Sequence, residues 1–140
     1  KGRARKGALE VLAKHRAAGD QVFLLSSSLN LIVDRVAQEH GFDGAISTEL
    51  LTDERGILTG LLVEPLCFGE GKVERARSHL ESLGLDLGDC VFYSDSLSDL
   101  PLLQEAGRGV AVNPDVRLAR KAAEVGLPVA DWGHAAIEAG

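Results

Sequence analysis

The chain has 140 residues, 45% of them hydrophobic and 26% charged, with a formal net charge of −6. That length and apolar content suffice for one globular core and exclude an intrinsically disordered chain. The acidic balance argues against nucleic acid and anionic membrane as main partners, because both attract basic surfaces.

Along the chain, the basic cluster Lys1, Arg3, Arg5 and Lys6 reads as a solvated lead-in to a helix. Neither an apolar signal region nor a small-residue cleavage site follows it. From Ala8 to Ala18 (ALEVLAKHRAA) apolar residues recur at helical spacing, and Gly19-Asp20 supplies a C-cap and turn. Val22 to Leu25 (VFLL) is a short apolar run, predicted to be a strand buried on both faces of a parallel sheet. Ser26-Ser27-Ser28 then opens a helix to about His40, with Ser28 as its N-cap and Gly41 as its stop. Ala45 to Glu64 reads as a hairpin, AISTELL and ILTGLLVE flanking the DERG turn.

Lys72 to Leu83 is amphipathic and closed by Gly84, predicting another helix. Cys90 to Ser94 is the next buried strand, Leu97 to Ala106 a helix ending at Gly107, and Gly109 to Val112 a further strand. Asn113-Pro114-Asp115 starts a helix that runs from Asp115 to Val125, and Pro128 to Ala130 is a last short strand. No run reaches the length of a membrane span. Cys67 and Cys90 lack CxxC spacing and fit a reducing cytoplasm; His15, His40, His79 and His134 lack zinc-site spacing. With no repeat and no linker, residues 1–140 read as one domain.

Strands alternating with helices predict a doubly wound, Rossmann-like α/β fold with a parallel sheet. Ligands of such sheets bind beyond the carboxyl ends of the strands. Ser26-Ser27-Ser28 and Ser94-Asp95-Ser96 both fall at that edge. An ionised Asp95 at the mouth of a buried strand costs desolvation unless a cation compensates it, either Lys72 or Mg2+. Lys72 stands in GEGK, Gly69 to Lys72, at the amino end of a helix, where the dipole favours an anion. The stretch is not a P-loop, which needs Gly at Leu66 and Ser or Thr at Val73.

VFLLS, GEGKVERA and VFYSDSLSD, in this order with a hairpin between the first two, resemble motifs two, three and four of the haloacid dehalogenase (HAD) superfamily. The nearest branch is the phosphoserine-phosphatase-like subfamily IB. The similarity runs from about Ala8 to Trp132 and takes in TELLTDERGILTG, DLPLL and VAVNPDVRLARKAA.

The resemblance implies a role for each matching position. Ser26 would donate its hydroxyl to a phosphoryl oxygen, assisted by the backbone N–H of Ser27. Lys72 would neutralise the phosphoryl group. Asp95 would bind Mg2+, and Asp99 would pair with Lys72 and hold a metal-bound water. The implied activity is hydrolysis of a small phosphorylated metabolite through an aspartyl-phosphate.

The family's nucleophile motif, DxDxT/V at the end of a first strand, has no counterpart in these 140 residues, and neither does the helical cap that selects substrate. Asp86-Leu87-Gly88-Asp89 has the wrong spacing. The chain is therefore expected to be the carboxy-terminal part of a longer phosphatase, inactive and poorly cooperative alone. Its missing central strand would come from its own amino-terminal segment or from another chain. The strands bearing Ser26 and Asp95 would then be next-nearest neighbours, about 9 to 10 Å apart, with no ladder between them. Ser27, Ser28 and Ser98 stand where phosphoserine phosphatases usually have Gly, Gly and Asn, which argues against phosphoserine itself. The alternative is a non-catalytic phosphate- or metal-binding module.

Overall fold

The computed structural model describes residues 6–64, 67 and 69–133, so Lys1, Arg3, Arg5, Leu66 and His134 lie outside the described residues. The elements in chain order are α1 (Lys6–Ala17), β1 (Phe23–Leu29), α2 (Asn30–Glu39), β2 (Gly44–Thr48), β3 (Leu50–Thr52), β4 (Leu58–Leu62), α3 (Glu70–Ser82), β5 (Val91–Ser94), α4 (Leu100–Glu105), β6 (Arg108–Val112), α5 (Val116–Val125) and β7 (Val129–Ala130). Short 3-10 turns cover Leu87–Asp89 and Leu97–Asp99. The chain divides into two compact units, His15–Ser82 and the combination of residues up to Lys14 with those from Leu83 onward.

In the unit His15–Ser82, β1 and β2 pair in parallel, with Phe23 opposite Gly44 and Leu25 opposite Ile46. The register slips after Leu25 and resumes at Leu29 opposite Thr48. That resumption corrects the reading of Ser26-Ser27-Ser28 as a helix start. The three serines are strand residues, α2 begins at Asn30, and its N-cap position is Leu29 with no side-chain cap. A local capping signal lost to a ladder with a distant strand.

The hairpin is shorter than the sequence predicts. Among the described residues only β3 and β4 are antiparallel, around Asp53–Gly56, while Gly44–Thr48 is the parallel strand β2. Asp53 closes the turn, its carboxylate accepting from the amides of Arg55 and Ile57 at 2.8 and 3.0 Å. Buried side chains of this unit include Val33 and Ala37 of α2, Cys67, and Val73, Ala76 and Leu80 of α3. The last three recur at i, i+3 and i+7, the apolar stripe expected of a helix packed on one face.

In the other unit, β5, β6 and β7 form a parallel sheet in that order, with Ser94 opposite Ala111 and Val112 opposite Ala130. Its core is Leu103 of α4, Ala111 of β6, and Leu118 and Ala122 of α5, with Phe92, Leu97, Leu100 and Leu127 packed against it. The two strands predicted to be buried, β1 and β5, are half-buried to exposed, whereas in β6, expected only to be a strand, Val110, Ala111 and Val112 are buried. Among the described residues β6 has a strand on each side, while β1 has β2 alone as ladder partner and β5 has β6 alone.

Both ends of α5 are capped. Asp115 accepts from the Leu118 amide at 2.7 Å, and Gly126 closes the helix with φ +78°. Gly19 does the same for α1 at φ +84°, with the Asp20 amide donating to the His15 carbonyl at 2.9 Å.

Candidate functional site

Asp95 and Asp99 follow β5 directly. The strand ends at Ser94, and the chain passes through Asp95 and Ser96 into the turn Leu97–Asp99 and then α4. Hydroxyls order this passage. The Ser96 amide donates to Ser94 Oγ at 3.2 Å, and Ser94 Oγ donates to Asp99 Oδ2 at 2.5 Å. Ser96 caps the 3-10 turn by accepting from the Ser98 amide at 3.3 Å. Asp99 is 9% exposed, and Pro101 stands in the first turn of the helix behind it. A buried carboxylate needs such a donor, since an unmet charge there carries the full desolvation cost.

The desolvation premise applied to Asp95 falls on Asp99 instead. Asp95 is exposed. Its main chain is fixed, however: the Asp95 carbonyl accepts from the Asp115 amide at 3.1 Å, which ties the end of β5 to the start of α5.

Ser26, Ser27 and Lys72 belong to the unit His15–Ser82. Ser26 is half-buried, and its Oγ accepts from the Ser28 amide at 3.1 Å. Thr48, at the carboxyl end of β2 and 5% exposed, donates its hydroxyl to the Ser27 carbonyl at 2.9 Å and accepts from the Cys67 amide at 3.2 Å. Lys72 is half-buried in the first turn of α3, its amide donating to the Gly69 carbonyl at 3.0 Å. Gly69 has φ +55°, which favours glycine. Arg75, one turn further on, anchors α3 through Glu49 Oε1 at 2.6 Å and the Val63 carbonyl at 3.0 Å.

Sequence reading missed Thr48, the Ser94–Asp99 bond and the contact from Asp115 to Asp95. The last two lie between residues already singled out, but a hydroxyl's partner is not legible before the fold is known.

Two concavities of about 480 and 300 Å³ open at the starts of β6 and β2, near Arg108–Gly109 and Gly44–Ala45. Both lie at the amino ends of their strands, opposite the end that carries Ser94 and Thr48. Cys90, just before β5, has its thiol held above the ordinary range by burial and then by the Asp89 and Asp86 carboxylates. Among the described residues no group of three or more His, Cys, Asp or Glu side chains could hold a metal ion, and no helix is long and apolar enough to cross a membrane.

A model of the haloacid dehalogenase-like hydrolases matches residues 1–104. A phosphoserine phosphatase of Mycobacterium tuberculosis is 37% identical over 126 residues, which is 90% of this chain and 41% of that protein. A histidinol-phosphatase of Neisseria meningitidis is 37% identical over 125 residues, covering 87% of this chain and 56% of that protein. Among solved structures, a Bordetella pertussis protein of unknown function matches with a TM-score of 0.82 at 35% identity, over 91% of this chain and 58% of its own. The chain thus spans about half the length of these relatives. With the family match extending over most of its residues and through both carboxylates after β5, the chain belongs to the haloacid dehalogenase-like hydrolases.

Proposed function

We propose that these 140 residues are the carboxy-terminal part of a Mg2+-dependent phosphatase that hydrolyses a small phosphomonoester through an aspartyl-phosphate, with the nucleophile on an upstream segment. The observation that carries this reading is the Asp95–Asp99 pair placed directly after β5, its second carboxylate buried and held by Ser94. Two relatives named as phosphatases, of phosphoserine and of histidinol phosphate, support a small phosphorylated metabolite as substrate.

The donor set agrees with a hard divalent cation in kind. Asp95 and Asp99 offer carboxylate oxygens and no nitrogen or sulfur, the chemistry that Mg2+ prefers, and Mg2+ is usually held by one or two carboxylates together with phosphate and water. Asp95 would hold the ion directly and Asp99 through water. When bound, the ion would act as a Lewis acid on the phosphoryl oxygens.

The remaining work belongs to the chain itself. Ser26 Oγ would donate to a phosphoryl oxygen, joined by the Ser27 amide. The Lys72 ammonium would offset charge as it shifts in the transition state, and an electrostatic group of this type is worth about 10²-fold or more in rate. β5, with a ladder on one side only among the described residues, can accept an added strand, which is where an upstream segment would join.

The test is phosphate release from a panel of small phosphomonoesters by the full-length protein, with and without Mg2+. Mg2+-dependent turnover supports the phosphatase. Binding of phosphate or Mg2+ without any turnover would favour a non-catalytic module instead.

A further inference from the structure

Asn113 is the one non-glycine residue with positive φ among the described residues, at +40°. Left-handed backbone is costly for residues with a Cβ, and Asn tolerates it better than most. The conformation is held by three bonds. The Asn113 amide continues the β6–β7 ladder to the Ala130 carbonyl at 2.9 Å. Its Oδ1 accepts from the Trp132 amide at 2.8 Å, and its Nδ2 donates to Asp131 Oδ1 at 2.7 Å.

The far side of this clasp is itself fixed. Asp131 Oδ1 also accepts from the Gly133 amide at 2.8 Å. The Trp132 ring packs on Tyr93 with centroids 5.0 Å apart, and its carbonyl accepts from the Gly7 amide at 2.9 Å. A Cβ on Gly7 would come within 2.6 Å of Trp132 Cα, so this approach requires glycine.

The turn at Asn113 takes the chain out of the β6 line, and two residues later the Asp115 amide meets the Asp95 carbonyl at 3.1 Å. Asp115 is in turn the N-cap of α5, whose Leu118 is fully buried in the core. Asp95 stands one residue past the last ladder pair of β5, Ser94 with Ala111. Its backbone is therefore placed by α5, and α5 is entered through the Asn113 turn.

We propose that Asn113 is a positioning residue for Asp95: its carboxamide clasp sets the turn that presents the Asp115 amide to the Asp95 carbonyl and so aims the Asp95 carboxylate. This rests on the reading of Asp95 as the Mg2+ ligand. Partners that orient a metal ligand without touching the metal typically contribute about 10- to 100-fold to metal affinity.

The experiment measures Mg2+ binding by calorimetry, without substrate, in the full-length protein and in Asn113→Ala, Asn113→Gly and Leu87→Ala. Leu87 is buried, with no part in the clasp, and its variant controls for lost stability. Asn113→Ala is expected to weaken Mg2+ binding about 10-fold. Asn113→Gly, which keeps the turn accessible but lacks the carboxamide, is expected to weaken it by a smaller factor, and it decides the matter if the alanine variant does not fold. Leu87→Ala should lower Tm and leave Mg2+ affinity unchanged. Asn113 variants that lose stability with Mg2+ affinity intact would overturn the proposal and make the clasp a structural fastening only. A wild-type protein that binds no Mg2+ would overturn the reading of Asp95 and this inference with it.

Discussion

Ser94 Oγ donates to Asp99 Oδ2 at 2.5 Å, so the last residue of β5 holds the second acid of the pair that follows it. The same oxygen accepts from the Ser96 amide, which places one hydroxyl between the loop and the carboxylate. Asp99 is thereby fixed by the strand and not only by the helix it begins.

Ser94→Ala would leave the buried Asp99 carboxylate without that donor. The expected cost is about 1–3 kcal/mol. Urea denaturation of the full-length protein, compared with Ser94→Thr, checks this. The threonine variant should recover most of the loss, because it keeps the hydroxyl.

Gly109 in β6 lies where a Cβ would overlap the Leu103 carbonyl oxygen, a backbone atom that cannot swing aside. Gly109→Ala must therefore push α4 away from β6 and is expected to destabilise by about 3 kcal/mol or more. A thermal melt of the variant beside Gly56→Ala, where a Cβ meets open space but φ is +79°, separates overlap from backbone strain.

Cys90 should react slowly with iodoacetamide. Burial first, and then the Asp89 and Asp86 carboxylates, raise its pKa above its ordinary value, so less thiolate is present at a given pH than in a free thiol. The linkage runs in the same direction. Above the unfolded pKa the unfolded chain loses its proton before the folded one, so this contribution to stability is intact below pH 9.0 and declines as pH rises through the folded pKa. Asp89→Asn should speed alkylation; an unchanged rate would mean that the Asp89 carboxylate does not govern the thiol. Cys67, fully buried, should not react until the protein opens.

How far the sequence revealed this structure depended on the range of the interaction concerned. Gly19 and Asp115 were legible because caps are local, and the paired acids after β5 were legible because their spacing is. Ser28 was misread because the ladder between Leu29 and Thr48 joins residues nineteen apart, and no local cap preference competes with a strand pair. The run from Ala45 to Leu51 looked like one arm of a hairpin, yet it divides at Glu49 into a parallel strand and an antiparallel one. Partner choice decides that division, and periodicity does not. The desolvation expected at Asp95 is not found there, and the burial of Asp99 was not foreseen: burial follows from where α4 packs, which strand spacing does not specify. Asn113 looked like part of a helix start, and its clasp to Asp131 and Trp132 needed the β6–β7 pairing to become visible.

The most direct test of the central claim is the steady-state rate of phosphate release from small phosphomonoesters by the full-length protein, Asp95→Asn and Lys72→Ala, each titrated with Mg2+. The account predicts Mg2+-dependent turnover in the wild type and a loss of about 10²-fold or more in each variant. Turnover at the wild-type rate in either variant would contradict the roles given to Asp95 and Lys72.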